Sequence, residues 1–84
     1  MIKVLQVEID EKLDNAQVEE RIFFDNKLLV VAYLLTNGFV VLGKAGVIHR
    51  NNFDLERGRE IARKDASDQL WLLEGYKRHG DALQ

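Results

Sequence analysis

The chain contains no cysteine. That removes disulfides, thiolate nucleophiles and cysteine-based zinc sites together. It is compatible with a reducing compartment, and a cytoplasmic location is expected. Excess charge is also missing: 12 Lys and Arg face 14 Asp and Glu, for a net charge of −2. General nucleic-acid binders need a surplus of basic residues to displace counterions from phosphates, so this balance argues against that class. Long apolar runs are absent too. The longest, Leu28 to Leu35, is far short of the roughly 20 residues a membrane helix requires. The opening "MIKVLQVEID" mixes Lys, Gln, Glu and Asp with its apolar residues and does not resemble a secretory leader. No membrane partner is expected.

What is present reads as one small folded domain, residues 1–84. Apolar residues make up 46% and charged residues 31% of the chain, an ordinary balance for a globular protein and not for a disordered one. A chain of this size buries only a modest core. Self-association into a homo-oligomer is therefore expected.

The clearest local signal is "LLVVAYLLTNGFVVLGKAGVI". Two runs rich in β-branched and aromatic residues flank Asn37-Gly38, a pair suited to a type I′ hairpin turn. Strands are expected at about Leu28 to Thr36 and Phe39 to Ile48. A two-residue turn sets Thr36 opposite Phe39, Leu34 opposite Val41 and Ala32 opposite Gly43. Both faces of that ribbon are mostly apolar, so something must cover each side.

"NNFDLERGREIARKDASDQL" predicts a long C-terminal helix. Asn52 or Asp54 can cap it. Leu55, Ile61, Ala62, Ala66, Leu70, Leu72, Leu73 and Tyr76 share one broad arc at helical spacing. Gly58 lies in that arc, where it would allow close packing on the sheet, over Gly43 and Ala32. Trp71 falls on the polar side of a straight helix. The helix is therefore expected to break or bend between Leu70 and Leu73, turning Trp71 onto the hairpin or a partner subunit, with Tyr76 following. Before the hairpin, "DEKLDNAQVEERIFF" suggests a short helix around residues 10 to 22; Ile2 to Ile9 could instead add an edge strand. The expected fold is α+β: an N-terminal helical segment, a central antiparallel β-hairpin and a long C-terminal helix bent near residues 70–73.

Three blocks carry a family resemblance. The first is Asn37, Gly38, Phe39, Val41 and Gly43. The second is Asn52, Phe53, Asp54, Gly58, Arg59, Ile61 and Ala62. The third is Trp71, Leu73, Glu74, Gly75 and Tyr76. Their order and spacing resemble a small phage protein family named for gene sixty-six of phage Sf-six and a counterpart in phage N-four. Two departures are Leu72, where the family pattern has proline, and "FFDNKLLVV" before the hairpin, where members tend to carry a proline and several threonines. The resemblance implies a phage or prophage origin and a host-cell location. It brings no activity with it.

Candidate binding residues are Asp65, Gln69, Trp71, Glu74 and Tyr76. Trp71, Glu74 and Tyr76 would make an aromatic wall with a hydrogen-bond acceptor, or simply a packed helix corner. Asp65 and Gln69 lie four apart in the apolar arc, as ligand contacts or as a satisfied structural pair. His49 and His79 have no metal-ligand spacing. Arg57, Arg59, Arg63 and Lys64 are interleaved with Glu56, Glu60 and Asp68, as on a solvated face. Hydrolase, phosphate-loop, dinucleotide and metalloprotease motifs are absent, so no catalytic residue, metal or cofactor is assigned and an enzyme is not favoured. The expected function is that of a small phage accessory protein acting as an interaction module for a host or phage protein. The alternatives are a sponge for a host nucleotide signal and a small hydrolase.

Overall fold

The computed structural model of the protein describes residues 4–82. The elements run α1 (Gln6–Asp14), β1 (Gln17–Phe23), β2 (Leu28–Leu34), β3 (Val40–Gly46) and α2 (Leu55–Ala82), with a short 3-10 turn at Arg50–Asn52 before α2. The strands form one antiparallel sheet in the order β1-β2-β3. Both helices pack on the same side of it. The fold is α+β, as the sequence implies.

The turn between β2 and β3 lies where Asn37-Gly38 places it, but it is one residue longer than a type I′ turn. Leu35 N–H donates to the Phe39 carbonyl at 2.8 Å, and Gly38 N–H donates to the Leu35 carbonyl at 2.9 Å. Gly38 has φ +90°, whereas Asn37 is not among the residues with positive φ. This is a loop of Thr36, Asn37 and Gly38, a right-handed turn closed by a left-handed glycine. The Asn37 side chain supports it by accepting the Phe39 N–H at 3.0 Å. The expected register is therefore wrong by one. Leu34 pairs with Val40, Tyr33 with Val41 and Ala32 with Leu42.

A shift of one residue flips a strand's faces. Leu29, Val31, Tyr33 and Leu35 share the helix side with Val41, Gly43 and Ala45, all of them buried. Val30, Ala32 and Leu34 share the outer side with Val40, Leu42 and Lys44.

The expected helix over 10–22 is corrected twice. Helix α1 begins earlier and ends at Asp14, and residues 17–23 form β1. Residues 6–9, read alternatively as an edge strand, are helical; residues 1–3 lie outside the described residues. Helix α1 buries Ile9 and Leu13 completely. The β1–β2 turn carries Phe24, Asp25 and Asn26 at φ 57°, 54° and 66°. Asp and Asn tolerate that region, whereas a bulky aromatic rarely enters it. Arg50 ties the turn down, its Nε donating to the Phe24 carbonyl at 3.3 Å with the Asp25 carboxylate 3.5 Å away.

Helix α2 starts on Asp54, whose carboxylate accepts the N–H groups of Glu56 and Arg57 at 3.1 and 3.3 Å. It then continues as one helix through Leu70–Leu73, so of the expected break or bend the break does not occur. Its buried stripe is Gly58, Ala62, Ala66 and Leu70. Gly58 faces Leu29, and it is Ala62 that crosses Gly43, because the corrected register turns Ala32 to the other side. Beyond Leu70 the arc is not covered: Leu72, Leu73 and Tyr76 are exposed. A helix of 28 residues is about 42 Å long at 1.5 Å per residue. A strand of seven residues spans only about 23 Å. The helix outruns the sheet.

Candidate functional site

Trp71 lies on the side of α2 that α1 covers, which explains its place off the sheet-facing arc. It packs partly against the core, and its indole Nε1 donates to Gln6 Oε1 at 2.7 Å. A second helix, rather than a break in the first, accounts for the indole. The expected partners were the hairpin or a second subunit; the polar contact the indole makes is with α1. Glu74 stands beside it between Lys12 at 3.5 Å and Arg78 at 3.8 Å, and Arg78 also pairs with Glu8. Gln6 Nε2 donates to Ser67 at 3.2 Å, and Arg63 bonds Asp14 at 2.8 Å. This polar seam and the buried Ile9 and Leu13 hold α1 on α2. Tyr76 does not follow Trp71; it is 83% exposed.

Asp65 and Gln69 reach the backbone of β3. The Lys44 N–H donates to Asp65 Oδ2 at 3.0 Å, and Gln69 Nε2 donates to the Leu42 carbonyl at 2.8 Å. The geometry is well matched. Outward-facing groups two residues apart on a strand are about 7 Å apart, and side chains four apart on a helix are separated by about 6 Å along its axis. A carboxylate accepts where a neighbouring strand would accept, and an amide donates where it would donate. The outer edge of β3 is thereby occupied over these residues by the protein's own helix, one of the ways sheets avoid unwanted pairing.

The five residues expected to bind are thus not gathered into one pocket. Asp65 and Gln69 hold the β3 edge, Trp71 and Glu74 hold α1, and Tyr76 faces solvent. Of the basic residues, Arg59 makes a two-point bond to Glu20 on β1 at 3.0 and 2.6 Å. That hydrogen bond holds the Glu20 carboxyl below its ordinary value of 4.5. The stability it contributes is complete above that value and is lost as pH falls through the lower folded value. Lys64 pairs with Asp68 at 2.7 Å. His49 and His79 are exposed, and no group of three or more His, Asp or Glu among the described residues is placed to hold a metal.

The surface that stands out is the outer face of the sheet, which no element of the described chain covers. Its centre is apolar. Leu34, Val40 and Leu42 are 40%, 50% and 52% exposed, beside the half-buried Val30 and Ala32. Gln17, Glu19, Arg21 and Lys44 form the polar rim. The sequence pointed to this surface through its two apolar hairpin faces; the wrong register concealed which residues share it. Sheets exposed to water on one side normally alternate apolar with polar residues, and β2 does not.

The concave features are small by comparison. They run from about 130 Å³, where Phe53, Arg57 and Ile61 meet Val47, through about 220 Å³, where Asp65 and Gln69 meet Leu42 and Lys44, to about 290 Å³ between Glu8, Lys12, Thr36 and Arg78, against roughly 300–1,000 Å³ for small-molecule sites. Among the described residues no helix is long and apolar enough to cross a membrane.

The fold and its surfaces define a small α+β protein with one sheet face sealed by helices and the other open. The three sequence blocks belong to that framework: Gly38 closes the hairpin, Gly43 meets Ala62, Asp54 caps α2, and Trp71 with Glu74 holds α1. The chain belongs to the phage protein family of N4 Gp49 and phage Sf6 gene 66, whose family model matches residues 4–81. No curated protein and no solved structure matches it.

Proposed function

We propose that this phage protein is a non-catalytic accessory protein and that the outer face of its sheet engages a host or phage protein with an apolar surface of its own. The supporting observation is the contiguous apolar centre of that face, Val30, Ala32, Leu34, Val40 and Leu42, which no element among the described residues covers. Exposed apolar patches rimmed by polar residues mark interaction sites on soluble proteins. The nucleotide-sponge reading calls for aromatic and arginine groups converging on a cavity, and the depression beside Phe53 and Arg57 is small for that.

Immobilised protein should capture a partner from infected-cell lysate, and Leu42→Lys should lose it. Tyr76→Ala, altered on the far end of α2, should retain it. Leu42 is exposed, so the lysine variant should melt as the parent does. Calorimetric titration with a panel of nucleotides should give no saturable heat. Retention of the partner by Leu42→Lys would remove the outer face from the account, and saturable heat with a nucleotide would replace the interaction module by the sponge.

A further inference from the structure

The two edges of the sheet are treated differently. The β3 edge is occupied by Asp65 and Gln69. Strand β1, at the other edge, is exposed along all seven residues. The pairing pattern says which of its groups are unpaired in the sheet. Lys44 N–H and the Leu42 carbonyl point away from β2, so Gly43 and Ala45 point toward it, opposite Val31 and Leu29. The groups of Val30 and Ala32 then turn to β1, opposite Arg21 and Glu19. By alternation, the N–H and carbonyl groups of Val18, Glu20 and Ile22 face outward.

We infer that this edge pairs with the same edge of a second copy, antiparallel about a two-fold axis at Glu20, so that one sheet runs through both copies. The side chains of β1 are complementary to themselves in that register. Val18 meets Ile22 of the second copy on the helix side. Glu19 meets Arg21, and Arg21 meets Glu19, on the outer side. Glu20 meets Glu20 at the axis, and each carboxylate is already held by its own Arg59, so positive and negative groups alternate there. The neighbouring registers that also align outward-facing groups set Glu19 against Glu19 or Arg21 against Arg21. Like charges directly opposite are destabilising, and opposite charges stabilise. Only the register centred on Glu20 pairs the full strand and sets both Glu19 residues against Arg21; its one like-charge contact, Glu20 with Glu20, is offset by the two Arg59 guanidinium groups. Each hydrogen-bonded pair of residues exchanges two backbone bonds, and the contact is isologous, so it closes at a dimer. This inference stands apart from the outer-face proposal, because an edge can pair whatever occupies the face.

Sedimentation velocity across a concentration series reads it directly. The parent should pass from monomer to dimer. Glu19→Arg and Arg21→Glu, both at exposed positions, should each weaken the dimer by about tenfold or more, since two attractive contacts become repulsive. Mixing the two variants should restore association, because each then meets the opposite charge at both positions. Circular dichroism melts check that both variants are folded. A parent that stays monomeric at hundreds of micromolar would overturn the inference. So would a dimer indifferent to both charge reversals, variants that fail to associate on mixing, or a dimer lost instead on Leu42→Lys.

Discussion

Replacing Gly43 with alanine should cost about 3 kcal/mol, the upper part of the usual range for an overpacked core site. A Cβ at Gly43 would stand 2.7 Å from the Ala62 carbonyl carbon and nearer still to its oxygen. The obstacle is helix backbone, so no side chain can rotate away. The helix must lift from β3. Lifting it would strain the bonds that Asp65 and Gln69 make to Lys44 and Leu42 immediately along the same strand, and would open the packing of Ala62 and Ala66, both fully buried. Gly46→Ala is the control. There a Cβ would meet its nearest neighbour, the Lys27 carbonyl oxygen, at 3.7 Å, an ordinary contact, and the denaturation midpoint should hardly move. A Gly43→Ala midpoint equal to the parent's would mean that α2 does not cross β3 at this point.

Leu13→Ala should cost about 2–5 kcal/mol, the range for emptying a buried leucine site. Leu13 is 1% exposed and lies with Ile9 where α1 meets the core. Because α1 also receives the Trp71 hydrogen bond through Gln6, loosening it should move the fluorescence of the only tryptophan to longer wavelength before global unfolding. Thermal melts with fluorescence detection show both effects. A stability loss below about 1 kcal/mol would mean that α1 contributes little to the core, contrary to its complete burial of two aliphatic side chains.

The parts of the fold that are legible in the sequence are those fixed by local chemistry. Asn37-Gly38 marks the hairpin, Asp54 the start of α2, and the Ala62, Ala66, Leu70 spacing its buried stripe. The missed parts depend on tertiary partners. Glu19, Glu20 and Arg21 favour a helix on propensity, yet they form β1 because β2 offers an unpaired edge beside them, and Asp25-Asn26 was the turn signal that separates the two strands. The turn at Asn37-Gly38 can close as a two-residue or a three-residue loop, and that single residue decides which half of β3 faces the helix.

The candidate site divides in the same way. Asp65 and Gln69 are conspicuous as polar residues in an apolar arc, but their partners are backbone groups on a strand edge, which sequence spacing alone does not reveal. Trp71 is conspicuous as an indole on a polar side, and its explanation is α1, whose position is set by Ile9 and Leu13 packing far along the chain. The open outer face needed the correct register before Val40 and Leu42 could be placed beside Val30, Ala32 and Leu34.

The two helices close one face of the sheet and α2 also closes the β3 edge, while among the described residues the other face and the β1 edge stay open. Amide hydrogen exchange, followed by NMR at a dilution where the chain is monomeric, tests this arrangement most directly. Lys44 N–H points away from the sheet, yet it donates to Asp65, so it should exchange slowly, and Asp65→Ala should release it. Glu20 N–H points outward from β1 with no strand beside it and should exchange fast at dilution, slowing as concentration rises. Fast exchange at Lys44 in the parent, or slow exchange at Glu20 in the monomer, would contradict the account.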